Sequence, residues 1–256
     1  MNDKQTEKYR YDALADAKSK DKMKILSGDD FLSSLHLDMQ EPYRCFKQKL
    51  DLHSISAKRV LEIGAGTGAV SKWLIAKNAT VTLSDISPKS VQLLQKRFCN
   101  YSNFSVVAAD MESLPFSEQS FDIVVSAGSL SYADNVVTMT EIFRVLRDGG
   151  KFICLDSLNH NPIYRVNRYM HYLCGRRTLS TLQRMPKIGM INCYGDTFGH
   201  AESSFFGSIT WLFPLLRKLV GSRRSALIGH WCDQRFNVHR SAFKFVMVVT
   251  KRYGNK

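Results

Sequence analysis

The chain has 256 residues, 44% of them hydrophobic and 23% charged, and a formal net charge of +13. This composition can bury a full core and excludes a disordered or fibrous chain. No uninterrupted apolar window reaches about 18 residues and the N-terminus MNDKQTEKYRYD has no apolar core, so neither a transmembrane helix nor a secretory signal is expected and the chain reads as cytoplasmic.

Residues 1–57 read as helical and irregular, a cap segment ahead of the core. Asp29 and Asp30, with Phe31, Leu32 and Leu35, predict a short helix. Pro42 then opens another, with Tyr43, Phe46 and Leu50 on one face. From residue 58 strands and helices alternate. Arg59 to Ile63 is a short apolar strand ending in glycines, and Val70, Trp73 and Leu74 repeat at helical spacing. Thr80 to Ser84 is a second strand. Ser87-Pro88 caps a helix whose stripe is Val91, Leu94 and Phe98. Phe104 to Ala108 and Phe121 to Ser126 are the third and fourth strands. Val136 to Leu146 is a helix closed by Asp148-Gly149-Gly150, and Lys151 to Leu155 is a fifth strand. This alternation predicts an α/β fold, a mainly parallel sheet with helices on both faces.

After Asp156 the alternation stops. Residues 157–230 read as helix and loop rich in Arg, Tyr and Gly, and Ala242 to Thr250 reads as a late strand inserted into the sheet. The expected organisation is a cap segment over 1–57, a core over 58–156, a basic aromatic acceptor and cap region over 157–235, and a terminal strand and tail over 236–256. Residues 1–150 carry 19 basic and 19 acidic side chains, whereas residues 151–256 carry 17 and 4, so the whole excess lies in the C-terminal part. A one-sided excess suggests an anionic partner: a phosphate-bearing substrate, a membrane surface or RNA. The six cysteines form no C-x-x-C pair and read as reduced, mostly buried thiols; with no H-E-x-x-H spacing among the histidines, no metal site is expected.

The chemical signal is Glu62-Ile63-Gly64-Ala65-Gly66-Thr67-Gly68. Glycines at a strand end allow a tight turn and close approach of a ligand to the backbone, and the next helix offers free N–H groups. Alone, this loop also fits the dinucleotide fingerprint through Gly64, Gly66 and Ala69. Four features bear on the choice. Glu62 stands two residues before the first glycine, where a dinucleotide site usually carries an apolar residue. Asp85 ends the second strand, where a carboxylate can accept from ribose hydroxyls under either cofactor. Asp110-Met111 ends the third, where a side chain can accept from an adenine amine and Met111 can pack on the ring. Ser120-Phe121-Asp122 opens the fourth, and Arg144 to Gly150 leads into the fifth.

The run VLEIGAGTG, then LSDIS, then AADMESLPFSEQSFDIVVS, then EIFRVLRDGGKFICLD, is similar to class I S-adenosylmethionine-dependent methyltransferases, within the group that includes the ubiquinone and menaquinone C-methyltransferases. The resemblance covers about residues 58–156. It implies a Rossmann-like three-layer sandwich with S-adenosylmethionine as cofactor. It also implies that Gly64, Ala65 and Gly66 lie under the methionine part and that Glu62 holds the loop or the ammonium. Asp85 would take the ribose hydroxyls, with Ile86 against the adenine. Asp110 would accept from the adenine amine beside Met111, and Ser126, Ala127 and Gly128 would face the sulfonium and the acceptor.

Many relatives place a histidine shortly after the fourth strand. Here Tyr132 stands at or near that position, and a neutral tyrosine is a poor base near pH 7. Tyr132 and His160 are therefore the catalytic candidates, with His160 as base because its reference pKa suits the task. Asp156, Asn159, Tyr164, Arg165 and Arg168 follow the fifth strand, where acceptor-binding residues belong. Tyr and Arg alternate through Tyr164, Arg165, Arg168, Tyr169, Tyr172, Arg176, Arg177 and Arg184, a pattern that can grip phosphate and stack on a ring. Ile163, Val166 and Met170 read as the inward stripe of that segment. Phe206, Trp211 and Phe213 beside Arg217, Lys218, Arg223 and Arg224 suit contact with an anionic membrane, which would place the chain peripherally on its inner face, and equally suit a hydrophobic acceptor pocket or a packed cap.

NPIYRVNRY and FPLLRKL resemble methyltransferases associated with bacterial surface-polysaccharide synthesis. The resemblance implies O-methylation of a sugar or glycan precursor, nucleotide- or lipid-linked. The alternatives are a quinone-like or lipid acceptor, an RNA methyltransferase, and a cofactor-binding protein without catalysis. Nucleic acid is disfavoured because no RNA-binding appendage is present.

Overall fold

The computed structural model describes residues 3–20, 27–175, 178–236 and 239–253. Three helices come first: α1 (Asp3–Lys20), α2 (Asp29–Ser34) and α3 (Leu37–Leu52). The alternating core follows as β1 (Arg59–Ile63), α4 (Ser71–Ile75), β2 (Thr80–Asp85), α5 (Pro88–Arg97), β3 (Phe104–Ala108), β4 (Phe121–Ala127), α6 (Asn135–Val145) and β5 (Leu146–Ser157). Then come α7 (Pro162–Leu173), α8 (Leu179–Arg184), α9 (Ile188–Phe198), β6 (Gly199–Phe206), α10 (Phe213–Phe236) and β7 (Lys244–Lys251).

Among the described residues the strands form one sheet in the order β3-β2-β1-β4-β5-β7-β6. Strands β1 to β5 pair in parallel, and β7 runs antiparallel between β5 and β6. The expected α/β, Rossmann-like three-layer sandwich with a late antiparallel strand is the fold observed. Alternate residues of each strand supply the two cores. Val60, Val81, Leu83, Val125 and Ile153 pack with Phe46, Leu50, Trp73 and Leu94 of α3, α4 and α5. Leu61, Ile63, Val124, Phe152 and Cys154 pack on the other face with Ile142, Val145, Tyr194 and Phe198 of α6 and α9. A strand buried on both faces reads as a near-continuous apolar run, which is why β1, β4 and β5 are legible in the sequence, with buried Glu62 the exception in β1.

Several details differ from the sequence reading. Strand β6 lies inside the stretch read as helix, loop and cap. Its sequence GHAESSFF has few β-branched residues, and as an edge strand it is half-exposed, so neither alternation nor an apolar run marks it. Pro42 sits inside α3, which starts at Leu37, rather than opening the helix. Strand pairing in β5 starts at Leu146 opposite Phe121, then shifts register across the Asp148-Gly149-Gly150 turn. Ile163, Val166 and Met170 are 48%, 65% and 53% exposed, so they face outward, while Tyr164 and Arg168 form the inner side of α7. Phe213 is buried, where a Cβ on Gly229 would come within 2.4 Å of its ring. Cys99, Cys174 and Cys193 are exposed, so the thiols are not mostly buried. Arg176 and Arg177 lie outside the described residues. No helix among the described residues is long and apolar enough to cross a membrane.

Candidate active site

The chain leaves β1 through a loop in which Gly64, Gly66 and Gly68 all have φ between 54° and 76°, the left-handed region that glycine enters without steric cost. The amide of Ala65 donates to the Ser84 carbonyl (3.0 Å) and that of Gly68 to the Ala65 carbonyl (2.8 Å). Arg97 donates to the Thr67 carbonyl from below, and burial lowers its pKa to about 10. Two glycines have different reasons to be glycine. A Cβ at Gly64 would lie 2.4 Å from Cβ of Ser129, whereas one at Gly66 would meet nothing within 4 Å. Gly64 permits close packing under the loop; Gly66 keeps a space open above it.

That space is a cavity of about 200 Å³. It lies beyond the carboxyl ends of the parallel strands, where β1 has β2 on one side and β4 on the other, the point at which open α/β sheets bind ligands. Gly64, Ala65, Gly66 and Thr67 form its floor, Asp85 and Ile86 one wall, Met111 another, and Ala127, Gly128, Ser129 and Tyr132 a third. A Cβ at Gly128 would likewise meet nothing within 4 Å, so the cavity lining has two open positions.

The carboxylates are placed unevenly. Asp85 accepts from the amides of Gly66 (2.8 Å) and Ser87 (2.9 Å), while burial raises its pKa. It therefore ties the loop to β2 while lining the cavity. Glu62 is fully buried, and desolvation, with the Asp85 charge adding to it, raises its pKa to about 8. Its Oε2 has no hydrogen-bond partner among the described residues. Asp110 does not line the cavity; its Oδ1 accepts from the amide of Glu112 (3.0 Å) and closes a turn that presents Met111. Ser126 is also behind the wall rather than in it, bonded through its hydroxyl to Ser129 Oγ (2.7 Å), so Ser129 takes the lining position.

Tyr132 is where the fourth strand was expected to deliver it, in the 3-10 turn Leu130–Tyr132. Asp156 fixes that turn by accepting from the amide of Leu130 (2.9 Å) and from that of Ser157 (2.6 Å). His160 is elsewhere. It lines a separate cavity with Met139, Gln183 and Cys193, and its Nε2 accepts from the amide of Ile188 (2.9 Å). Burial, then Arg240, Lys187 and Arg165, lower its pKa, so the ring is neutral but its lone pair is occupied. The sequence reading of His160 as base is corrected on this geometry.

In its place the structure brings up two residues of α1 that sequence reasoning missed, Glu7 and Tyr11. Helix α1 lies across α5: Ser87 donates to Asp12 (2.5 Å) and Lys89 pairs with Asp16. The ring of Tyr11 stands edge-on to that of Tyr132 (5.3 Å), and burial keeps its phenol protonated. Glu7 is buried; its Oε1 accepts from the hydroxyls of Thr178 (3.0 Å) and Thr181 (2.9 Å), and its Oε2 lies 3.2 Å from Arg10. The helix is polar around its circumference and offered no periodic stripe to reveal an inward side.

The acceptor-side residues divide likewise. Tyr164 is packed on Phe243 (4.8 Å), donates to the Gly207 carbonyl (3.2 Å), and has its pKa pushed up to about 12 by burial; it is a framework residue. Buried Arg168 donates to the Leu158 carbonyl (2.8 Å) and to Asn159 Oδ1 (3.1 Å) and also borders a second, larger cavity of about 580 Å³. Asn159, Arg165, Tyr169, Gln183 and Lys187 share that cavity. Helix α8 separates the two spaces: Leu179 and Leu182 face the larger one, while Thr181 holds Glu7 at the smaller.

Comparison with known proteins bears on the smaller cavity. The methyltransferase domain family matches residues 61–154. A sterol 4-C-methyltransferase of Caenorhabditis elegans is 31% identical over 60% of this chain and 46% of its own length. A demethylmenaquinone methyltransferase of Clavibacter sepedonicus is 33% identical over 43% of this chain and 46% of its own. The chain thus spans about half the length of the curated relatives it matches. A Haemonchus contortus phosphoethanolamine N-methyltransferase, solved with S-adenosyl-L-methionine, superimposes with a TM-score of 0.59 over 81% of this chain and 52% of its own, at 14% identity, a likeness of fold.

Proposed function

We propose, for a chain whose residues 61–154 form a class I S-adenosylmethionine-dependent methyltransferase domain, that it methylates an amphiphilic acceptor with an apolar body and an anionic head. The observation that carries the donor half is the cradle itself. Gly66 and Gly128 leave open the positions a side chain would fill, and the buried Oε2 of Glu62 lacks a partner that an ammonium group would supply. These residues fit S-adenosylmethionine: Glu62 toward the ammonium, Asp85 toward the ribose, Ile86 and Met111 against the base. Bound there, the cofactor supplies a methyl group already activated on a sulfonium sulfur.

The chain's remaining tasks are to exclude water, orient the acceptor and take up its proton. Tyr11 and Tyr132 wall the cavity with rings. Glu7 and Asp85 are the carboxylates that line it; both oxygens of Asp85 accept from amides, whereas Glu7 Oε2, beside Arg10, has no hydrogen-bond partner among the described residues, which makes Glu7 the group to receive a proton. At about 200 Å³ the cavity is below the roughly 300–1,000 Å³ of small-molecule sites, so α1 must yield somewhat to admit cofactor and acceptor together.

The basic cavity beyond α8, with Arg165 and Lys187 at its rim and Tyr169 beside them, suits a phosphate-bearing head group. A lipid-linked sugar or glycan precursor has both halves of such an acceptor, and its hydroxyl would be the atom methylated. The second reading is a sterol- or quinone-like lipid, favoured by what the two curated relatives methylate by name. Turnover with labelled S-adenosylmethionine against glycolipid and neutral-lipid extracts tests both. Transfer to neither fraction, with cofactor binding intact, would refute the amphiphile reading.

A further inference from the structure

Helix α7 has its amphipathic sense reversed. Ile163, Val166, Tyr169, Met170 and Leu173 lie within about 120° of one another around the helix, and all are between 48% and 65% exposed. The opposite side, which meets the body of the protein, carries Tyr164 and Arg168, held by the Gly207, Leu158 and Asn159 contacts. Burying this stripe is favourable only if something outside the described fold covers it.

Charge says what that something is. Residues 157–195 contain six Lys and Arg and no Asp or Glu. Arg165 and Val166 stand side by side on α7, and with Tyr169 and Lys187 they share the rim of the larger cavity. Exposed apolar rings and aliphatic chains beside unopposed cations are what an interfacial helix presents to anionic lipid. Helix α10 also exposes apolar residues, but carboxylates lie along it: Asp233 caps Gly207 and Ser208, and Glu41 lies 3.8 Å from His230. Helix α10 carries Arg217, Lys218, Arg223, Arg224 and Arg235 as well, so an anionic surface is attracted there too, but of the two only α7 lies in a stretch without a carboxylate.

We infer that α7 docks on an anionic bilayer, with Ile163, Val166, Met170 and Leu173 in the headgroup boundary, so that the larger cavity opens toward the lipid from which the acceptor is drawn. This rests on the amphiphile reading above and adds the surface on which the acceptor is met.

The test is co-sedimentation of the full chain with vesicles of phosphatidylcholine alone and with about one-third phosphatidylglycerol, at low and high salt. Val166→Glu combined with Met170→Glu is the reporter, because both positions are exposed and the fold does not need them. The wild-type chain should bind the anionic vesicles, release in high salt, and bind at least about tenfold more weakly in the double variant. Arg165→Glu should weaken binding and leave less salt dependence. Equal binding to both vesicle types, or undiminished binding by the double variant, would overturn the inference. So would a wild-type dimer in sedimentation that the double variant dissolves, since a second copy would then cover the stripe. Calorimetry with S-adenosylmethionine on the same preparations keeps the two readings apart: lost docking with intact cofactor binding rejects only the membrane surface.

Discussion

Glu7 on α1 accepts a hydrogen bond from the hydroxyl of Thr181 on α8 at 2.9 Å, across 174 positions of sequence. Through this contact the N-terminal helix, which lines the cavity with Glu7 and Tyr11, is tied to the acceptor-side helix. One carboxylate serves both the cavity wall and the partition between the two cavities.

Glu7→Gln keeps the shape and the hydroxyl partners but cannot hold a proton from the acceptor. It should lower kcat by about a hundredfold while leaving S-adenosylmethionine affinity nearly unchanged. Thr181→Val, which removes a hydrogen bond to Glu7, should cost about 1 kcal/mol of stability and reduce kcat far less. Equal loss in both variants, by steady-state kinetics, would make Glu7 an anchor only.

Gly66→Ala places a methyl group where φ is +54° and where nothing stands within 4 Å. The backbone strain is about 1–2 kcal/mol, which the fold should withstand, but the methyl enters the cavity. Cofactor affinity should fall by at least about a hundredfold, measured calorimetrically, an effect of roughly 3 kcal/mol. Gly64→Ala should instead fail to fold stably, because its Cβ meets Ser129 at 2.4 Å.

Glu62 has a folded pKa of about 8, raised by burial above its ordinary value of 4.5. Its contribution to stability is fully present below the unfolded pKa and is lost as pH rises through the folded one. The free protein should therefore lose stability between about pH 5 and 8, by at most about 1.4 kcal/mol per pH unit from this group. Glu62→Gln should flatten that slope in denaturant titrations. If an ammonium pairs with the ionised carboxylate, cofactor binding at pH 7 must release a proton. Calorimetry in buffers of different ionisation enthalpy should detect that release in the wild type and not in Glu62→Gln.

His160→Ala removes an acceptor from the Ile188 amide and should destabilise the chain by about 1 kcal/mol. Activity should stay within about twofold of wild type. A loss near a thousandfold, with the fold intact by circular dichroism, would return the base to His160.

The sequence by itself determined the donor half. β1, the glycine loop, Asp85 and Met111 follow one another in chain order, because a strand buried on both faces is apolar nearly throughout and a tight loop with positive φ favours glycine. Those constraints act on neighbouring residues, so they are written locally. Tertiary structure alone decided the rest. Edge strand β6 has one face in water and so lacks a pattern, and the outward turn of Ile163 and Val166 depends on what α7 packs against. Glu7 reaches the site only because α1 folds back over α5, and His160 is removed from it by one amide, that of Ile188. Contacts between residues far apart in the chain leave no mark on spacing, and it is such contacts that separate the residues lining the cavity from those that hold its walls.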